Sequence, residues 1–137
     1  MGVILDSSAI IRAERKQQTE LQMLRELGEL TGYQELGLSS IGVTECLHAI
    51  YRAKDPIIRA RRQSFLDQLL QDLPVYDYTL ATARLAGRIG GEQAERGLTV
   101  PFSDLLIGAT AMELGFSILT TNLRHFSLIP GLQVVSL

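Results

Sequence analysis

The stretch Pro101–Thr121, PFSDLLIGATAMELGFSILTT, decides the fold class. Its first part, to Gly115, is almost wholly apolar or small and reads as a buried helix. Its last part, SILTT, is an apolar run of strand length. A buried helix leading into a buried strand is the repeating unit of an α/β protein. Asp104 is the odd residue in it, a carboxylate at the head of an apolar helix. Taking an unpaired carboxylate out of water costs on the order of several kcal/mol or more. Asp104 is therefore a first-turn residue favoured by the helix dipole, half of an ion pair, or a ligand for a cation. Ser103 is the expected N-cap. Gly108 and Ala111, on the face behind Asp104, are small enough to let another backbone approach closely.

The same alternation extends in both directions. Val3–Leu5 reads as a first buried strand, with a helix from Ser7 or Ser8. Leu21, Leu24, Leu27 and Leu30 stand three apart on a second helical segment. Glu35–Ser39 is a short strand, and Ser39 or Ser40 can cap the next helix. Pro56 suits the first turn of a helix running to about Leu73, stopped by Pro74. The run VYDY at Val75–Tyr78 is strand-like, residues 80–97 are helical with Gly97 as the stop, and LQVVSL at Leu132–Leu137 is a last strand. Strands separated by crossover-length helices predict a largely parallel sheet covered on both faces. In such sheets the chemistry lies beyond the carboxyl ends of the strands, where the strand order switches.

With 137 residues, 46% hydrophobic and 20% charged, the chain suits one compact domain over residues 1–137 with a real core. No apolar run approaches the ~20 residues of a membrane span. The start, MGVILDSSAII, lacks the basic lead-in of a signal peptide, and the single Cys46 has no internal disulfide partner, so the expected location is the cytoplasm. Cys46 and His48 lack the second pair of a zinc site and read as a buried thiol and a surface histidine. A net charge of −2 means that any nucleic-acid binding is local. Arg52, Lys54, Arg59, Arg61 and Arg62 form the one basic run, although a solvated helix face is the commoner meaning of such a run.

Two polar residues leave strand ends directly. Asp6 follows the first strand and Asn122 follows SILTT; each is as compatible with a helix cap or turn as with a site. Glu45 lies nearly opposite Val43, Leu47 and Ile50, the expected core face of its helix, so periodicity makes it a solvated glutamate near His48 and Arg52. No phosphate-binding glycine loop is present, since GRIGGEQ lacks both the preceding strand and the spacing. Neither histidine sits in a recognisable nucleophile–base arrangement.

Taken in order, VILDSSAIIRAER, LSSIGVTECLHAI and VPFSDLLIGATAMELGFSILTTNLRHFSLIPGLQVV resemble the PIN domain, and more narrowly the single-domain VapC-type ribonucleases that are toxins of bacterial toxin–antitoxin pairs. The resemblance covers essentially the whole chain. It implies a three-layer α/β/α sandwich around a mainly parallel sheet, with acids gathered at one end of the sheet to hold Mg²⁺ or Mn²⁺. Carried over, Asp6, Glu45 and Asp104 are the acids; for Glu45 this conflicts with the solvated position that periodicity assigns, and the resemblance takes precedence. Ser7 and Thr120 match hydroxyl positions that support the pocket. Asn122 stands where many members have a fourth acid, and His125 also falls where an acid is often found. One negative charge fewer predicts weaker binding of a second metal.

The implied reaction is hydrolysis of RNA by a metal-activated water, leaving a 5′-phosphate and a free 3′-hydroxyl. Arg12, Arg15 and the run from Arg52 to Arg62 are the candidate contacts for the RNA backbone. The implied partners are RNA, an antitoxin that blocks the cleft, and a second copy of the chain in a homodimer. Two other readings compete. One is a receiver-like or phosphatase-type domain with Asp6 as nucleophile, against which DSSA lacks the second acid of a D-x-D motif. The other is a PIN module that has lost cleavage, with Asn122 as the mark of decay.

Overall fold

The computed structural model describes residues 1–137. Five strands, β1 (Gly2–Leu5), β2 (Glu35–Ser39), β3 (Val75–Tyr76), β4 (Ser117–Thr120) and β5 (Val134–Ser136), form one sheet in the order β3-β2-β1-β4-β5. Every neighbouring pair is parallel. Seven helices connect and cover them: α1 (Ser7–Arg15), α2 (Glu20–Thr31), α3 (Ser40–Arg52), α4 (Pro56–Asp72), α5 (Leu80–Glu95), α6 (Phe102–Leu114) and α7 (Leu123–Phe126). The chain steps outward from β1 through β2 to β3, then returns to the other side of β1 for β4 and β5. The switch in strand order therefore falls between β1 and β4.

The central strands feed two separate cores because successive side chains point to opposite faces. Val3 and Leu5 join residues of α1 to α4, including Met23, Leu27, Cys46, Leu66 and Leu69. Ile4 joins Ile89 of α5, Ile107 and Ala109 of α6, and Phe126 of α7. Leu119 and Ile118 of β4 divide in the same way. These two cores make the molecule a three-layer α/β/α sandwich, as the resemblance implies. No helix is long and apolar enough to cross a membrane.

Local chemistry sets the element ends. Asp55 accepts a hydrogen bond from the Ile57 N–H (2.9 Å) ahead of Pro56 at the start of α4. Gly115, at φ 70°, ends α6 in the left-handed conformation that glycine adopts most cheaply, and so turns the chain into β4.

On α2 the helix that the leucine spacing predicts is present; Met23 and Leu27 are buried, whereas Leu21 is 67% and Leu30 47% exposed. A spacing of three drifts by about 60° per step around a helix, so four leucines three apart cannot all face one core. The strand expected over Val75–Tyr78 stops at Tyr76, where the chain leaves the sheet for α5. Beside Gly108 no second backbone approaches; a Cβ there would meet Ile129 Cδ1 at 2.5 Å and Leu132 Cδ2 at 3.2 Å, so apolar side chains fill that space.

Candidate metal centre

Asp6 leaves the carboxyl end of β1 and occupies the N-cap position of α1, yet its side chain makes no capping hydrogen bond. It is 1% exposed. Its backbone N–H donates to Leu119 O of β4 at 2.9 Å, which seats it at the switch point. Its Oδ2 accepts from two hydroxyls, Ser8 Oγ at 2.6 Å and Thr120 Oγ1 at 2.8 Å. Those oxygens are themselves acceptors, Ser8 Oγ from the Thr121 N–H (3.0 Å) and Thr120 Oγ1 from the Asn122 N–H (2.9 Å). Each hydroxyl proton is thereby aimed at Oδ2, and each relay is polarised by its backbone donor. The other oxygen, Oδ1, is buried and has no hydrogen-bond partner. A buried carboxylate oxygen left in that state costs about 1–3 kcal/mol or more.

Glu45 is held from two sides. Ser7 Oγ of α1 donates to Oε1 and Ser103 Oγ of α6 donates to Oε2, both at 2.8 Å. The stripe Gly42, Cys46 and Ile50 turns α3 into the core, not the expected Val43, Leu47 and Ile50, and Glu45 lies on the flank of that stripe, where it meets α1 and α6. The periodicity of α3 carries no information about those helices. The same contact corrects the expected cap of α6. That helix begins at Phe102 with Pro101 at the cap position and no side-chain cap, because the Ser103 hydroxyl is engaged by Glu45.

Asp104, in the first turn of α6, is 7% exposed. Burial is the main cause that lifts its carboxyl above the usual range; the hydrogen bond to His125 opposes this, and the charges of Asp6 and Glu45 add to it. His125 Nδ1 lies 2.8 Å from Asp104 Oδ2, so the ring nitrogen donates whenever the carboxylate is ionised. The same acidic field reaches Cys46. Its thiol is pushed up to about 12, first by burial and then by the charges of Glu45 and Asp6.

Asp6, Ser7, Glu45, Asp104 and Thr120 thus meet beyond the carboxyl edge of β1 and β4. The Asn122 side chain is exposed and makes no capping bond, while its backbone N–H donates to Thr120 Oγ1. Arg12 lies away from the acids on the outer part of α1, where Nη1 donates to Glu26 Oε1 at 3.2 Å. Arg15 and Arg52 are exposed. Arg61 and Arg62 both bind the buried Glu14, at 2.9 and 3.1 Å. Two residues that the sequence did not connect with the acids touch them, Ser8 and Ser103, and His125, which the resemblance had placed at a frequent acid position, binds Asp104. Ser8 had a signal, as the second serine of LDSSA, but its contact with Asp6 appears only once α1 turns off β1.

These residues fit a divalent cation. Neighbouring carboxylates, one with an unpartnered buried oxygen and one whose charge its neighbours oppose, would be stabilised by a hard cation. No three His, Cys, Asp or Glu side chains stand close enough to clasp an ion by themselves. Mg²⁺ matches such an open set, because it keeps several waters and needs only one or two carboxylates.

The acids thus gather at the switch point of a fully parallel α/β/α sheet. The PIN domain family model matches residues 3–132. Ribonuclease VapC1 of Rickettsia felis is 28% identical over 99% of this chain and 96% of its own. The tRNA(fMet)-specific endonuclease VapC of Salmonella typhimurium is 32% identical over 71% of each chain. Among solved structures, VapBC2 from Rickettsia felis, bound to a DNA fragment from its promoter, superposes with a TM-score of 0.85 at 24% identity, covering 100% of this chain and 99% of the other. A toxin–antitoxin complex from Klebsiella pneumoniae shares the fold at a TM-score of 0.66, with 18% identity and coverage of 98% and 96%. The chain belongs to the PIN domain family and, within it, to the VapC ribonucleases.

Proposed function

We propose that this chain is the toxin of a toxin–antitoxin pair, an endoribonuclease that uses Mg²⁺ or Mn²⁺ to hydrolyse RNA in the cytoplasm. The observation that carries the metal is the buried, unpartnered Oδ1 of Asp6 in a pocket shared with Asp104 and Glu45. Asp6 and Asp104 are the residues that would hold the ion, with Glu45 acting directly or through water. When bound, the ion supplies an activated water and neutralises charge building on the phosphate. Ser8 and Thr120 fix Asp6 through Oδ2 and leave Oδ1 free. Ser7 and Ser103 hold Glu45 by one oxygen each, so its lone pairs remain available to order water. The partners in this reading are an antitoxin that covers the acidic cleft and a second copy of the chain.

The test is incubation of the purified chain with structured RNAs and Mg²⁺ or Mn²⁺, beside the Asp6→Asn and Asp104→Asn variants. Internal cleavage that EDTA stops and both substitutions reduce by at least about 100-fold is the expected result. Cleavage that persists in EDTA, or in both variants, overturns the reading.

A further inference from the structure

Three of the arginines singled out in the sequence are poorly placed to hold RNA. Arg12 is bound to Glu26, and Arg61 and Arg62 to Glu14, so their guanidinium groups already have anions. A phosphate would have to displace a carboxylate to reach them. Arg124 is different. It is exposed, makes no ion pair, and lines an open cleft of about 460 Å³ with Gly97, Thr99, Pro101 and His125. This cleft adjoins the acidic pocket by two routes. Its wall at Pro101 leads within one turn to Asp104, and its wall at His125 touches Asp104 directly. Arg124 has no carboxylate partner, and its cleft contains His125, which is in direct contact with Asp104.

We propose that the Arg124–His125 cleft is a phosphate subsite that holds the backbone of single-stranded RNA next to the bond being cut. The inference rests on the ribonuclease reading. The acidic pocket repels a polyanion until a cation is bound, so substrate needs a fixed positive charge beside the acids rather than among them. Arg124 supplies that charge, and its planar fork matches two phosphate oxygens. Thr99 and His125 add hydrogen-bonding groups to the lining of the same cleft.

The test is binding of a fluorescein-labelled single-stranded RNA dodecamer to an Asp6→Asn parent, which does not cut it, at several salt concentrations. Adding Arg124→Gln is expected to weaken binding about 5- to 20-fold and to reduce the salt slope by about 0.7, the share of one phosphate contact on a single strand. Arg124→Lys should recover part of the affinity, and Arg25→Gln, which removes an exposed charge from α2, should change it less than twofold. Unchanged affinity and slope in Arg124→Gln, or an equal loss in Arg25→Gln, overturns the subsite. Cleavage by the otherwise native chain is followed in parallel. If it cuts RNA with the same KM with and without Arg124→Gln, the subsite falls and the ribonuclease reading stands. If it cuts no RNA at all, both fall.

Discussion

His125 Nδ1 stands 2.8 Å from Asp104 Oδ2 and ties the short helix α7 to the first turn of α6. An imidazole ring thus stands beside the acids. Placing a carboxylate there with His125→Asp adds a negative charge beside Asp6, Glu45 and Asp104. The variant is expected to bind Mn²⁺ about tenfold more tightly in calorimetric titrations, because affinity for hard cations follows the ligand charge count. In EDTA it should melt a few degrees below the parent. Equal Mn²⁺ affinity in both chains would show that His125 lies outside the reach of the ion.

The raised carboxyl of Asp104 gives a pH signature. The folded chain keeps this proton to a higher pH than the unfolded chain does. The group's contribution to stability is therefore complete below its ordinary value of 3.8 and is lost as pH rises through the folded value. Metal-free thermal melts should show this decline, and Asp104→Asn should flatten it and raise the melting temperature at pH 7 by a few degrees. Excess Mn²⁺ should reverse the ranking, since ligand at a hundredfold over its Kd adds about 2.7 kcal/mol to a chain that binds it and nothing to one that does not.

Thr120 is fully buried and donates to Asp6. Thr120→Val keeps the shape and removes the hydroxyl, leaving Asp6 Oδ2 with Ser8 alone and the Asn122 N–H without its acceptor. Mn²⁺ affinity should fall about 10- to 100-fold, the range for residues that orient metal ligands, and unfolding free energy in urea should fall by about 1–3 kcal/mol. Thr120→Ser should restore most of both. Loss of stability with unaltered metal affinity would make the hydroxyl a packing feature alone.

Cys46, with a thiol pushed up to about 12, holds almost no thiolate at neutral pH. Native protein should therefore resist maleimide labelling at pH 7.5 for hours and react within minutes in denaturant, as mass spectrometry would read. Rapid labelling of the native chain would place this side chain outside the core.

The fold is legible in the sequence because its signals are local. VIL and SIL are short apolar runs between helical patterns, and each continuous run means a strand covered on both faces. Asp6 is visible as a polar residue at a strand end, but its role depends on Thr120, a partner no periodicity connects to it. Glu45 looks solvated from its helix alone, since the directions that matter, toward Ser7 and Ser103, belong to other helices. The Asn122 backbone N–H donates to Thr120, a contact that the residue's identity does not signal. The arginines near α1 and α4 look free in sequence because Glu14 and Glu26, which engage them, are distant along the chain or one helix away.

Asp6 and the Thr120 hydroxyl that orients it are 114 residues apart. During synthesis, β1 emerges early with its acid, but the sheet cannot close around it until β4 has been made and docked. Until then Asp6 lacks a main support, and Asp104 lacks His125, which comes still later. A growing chain therefore carries no assembled acidic pocket until β4 and α7 have both been made and docked.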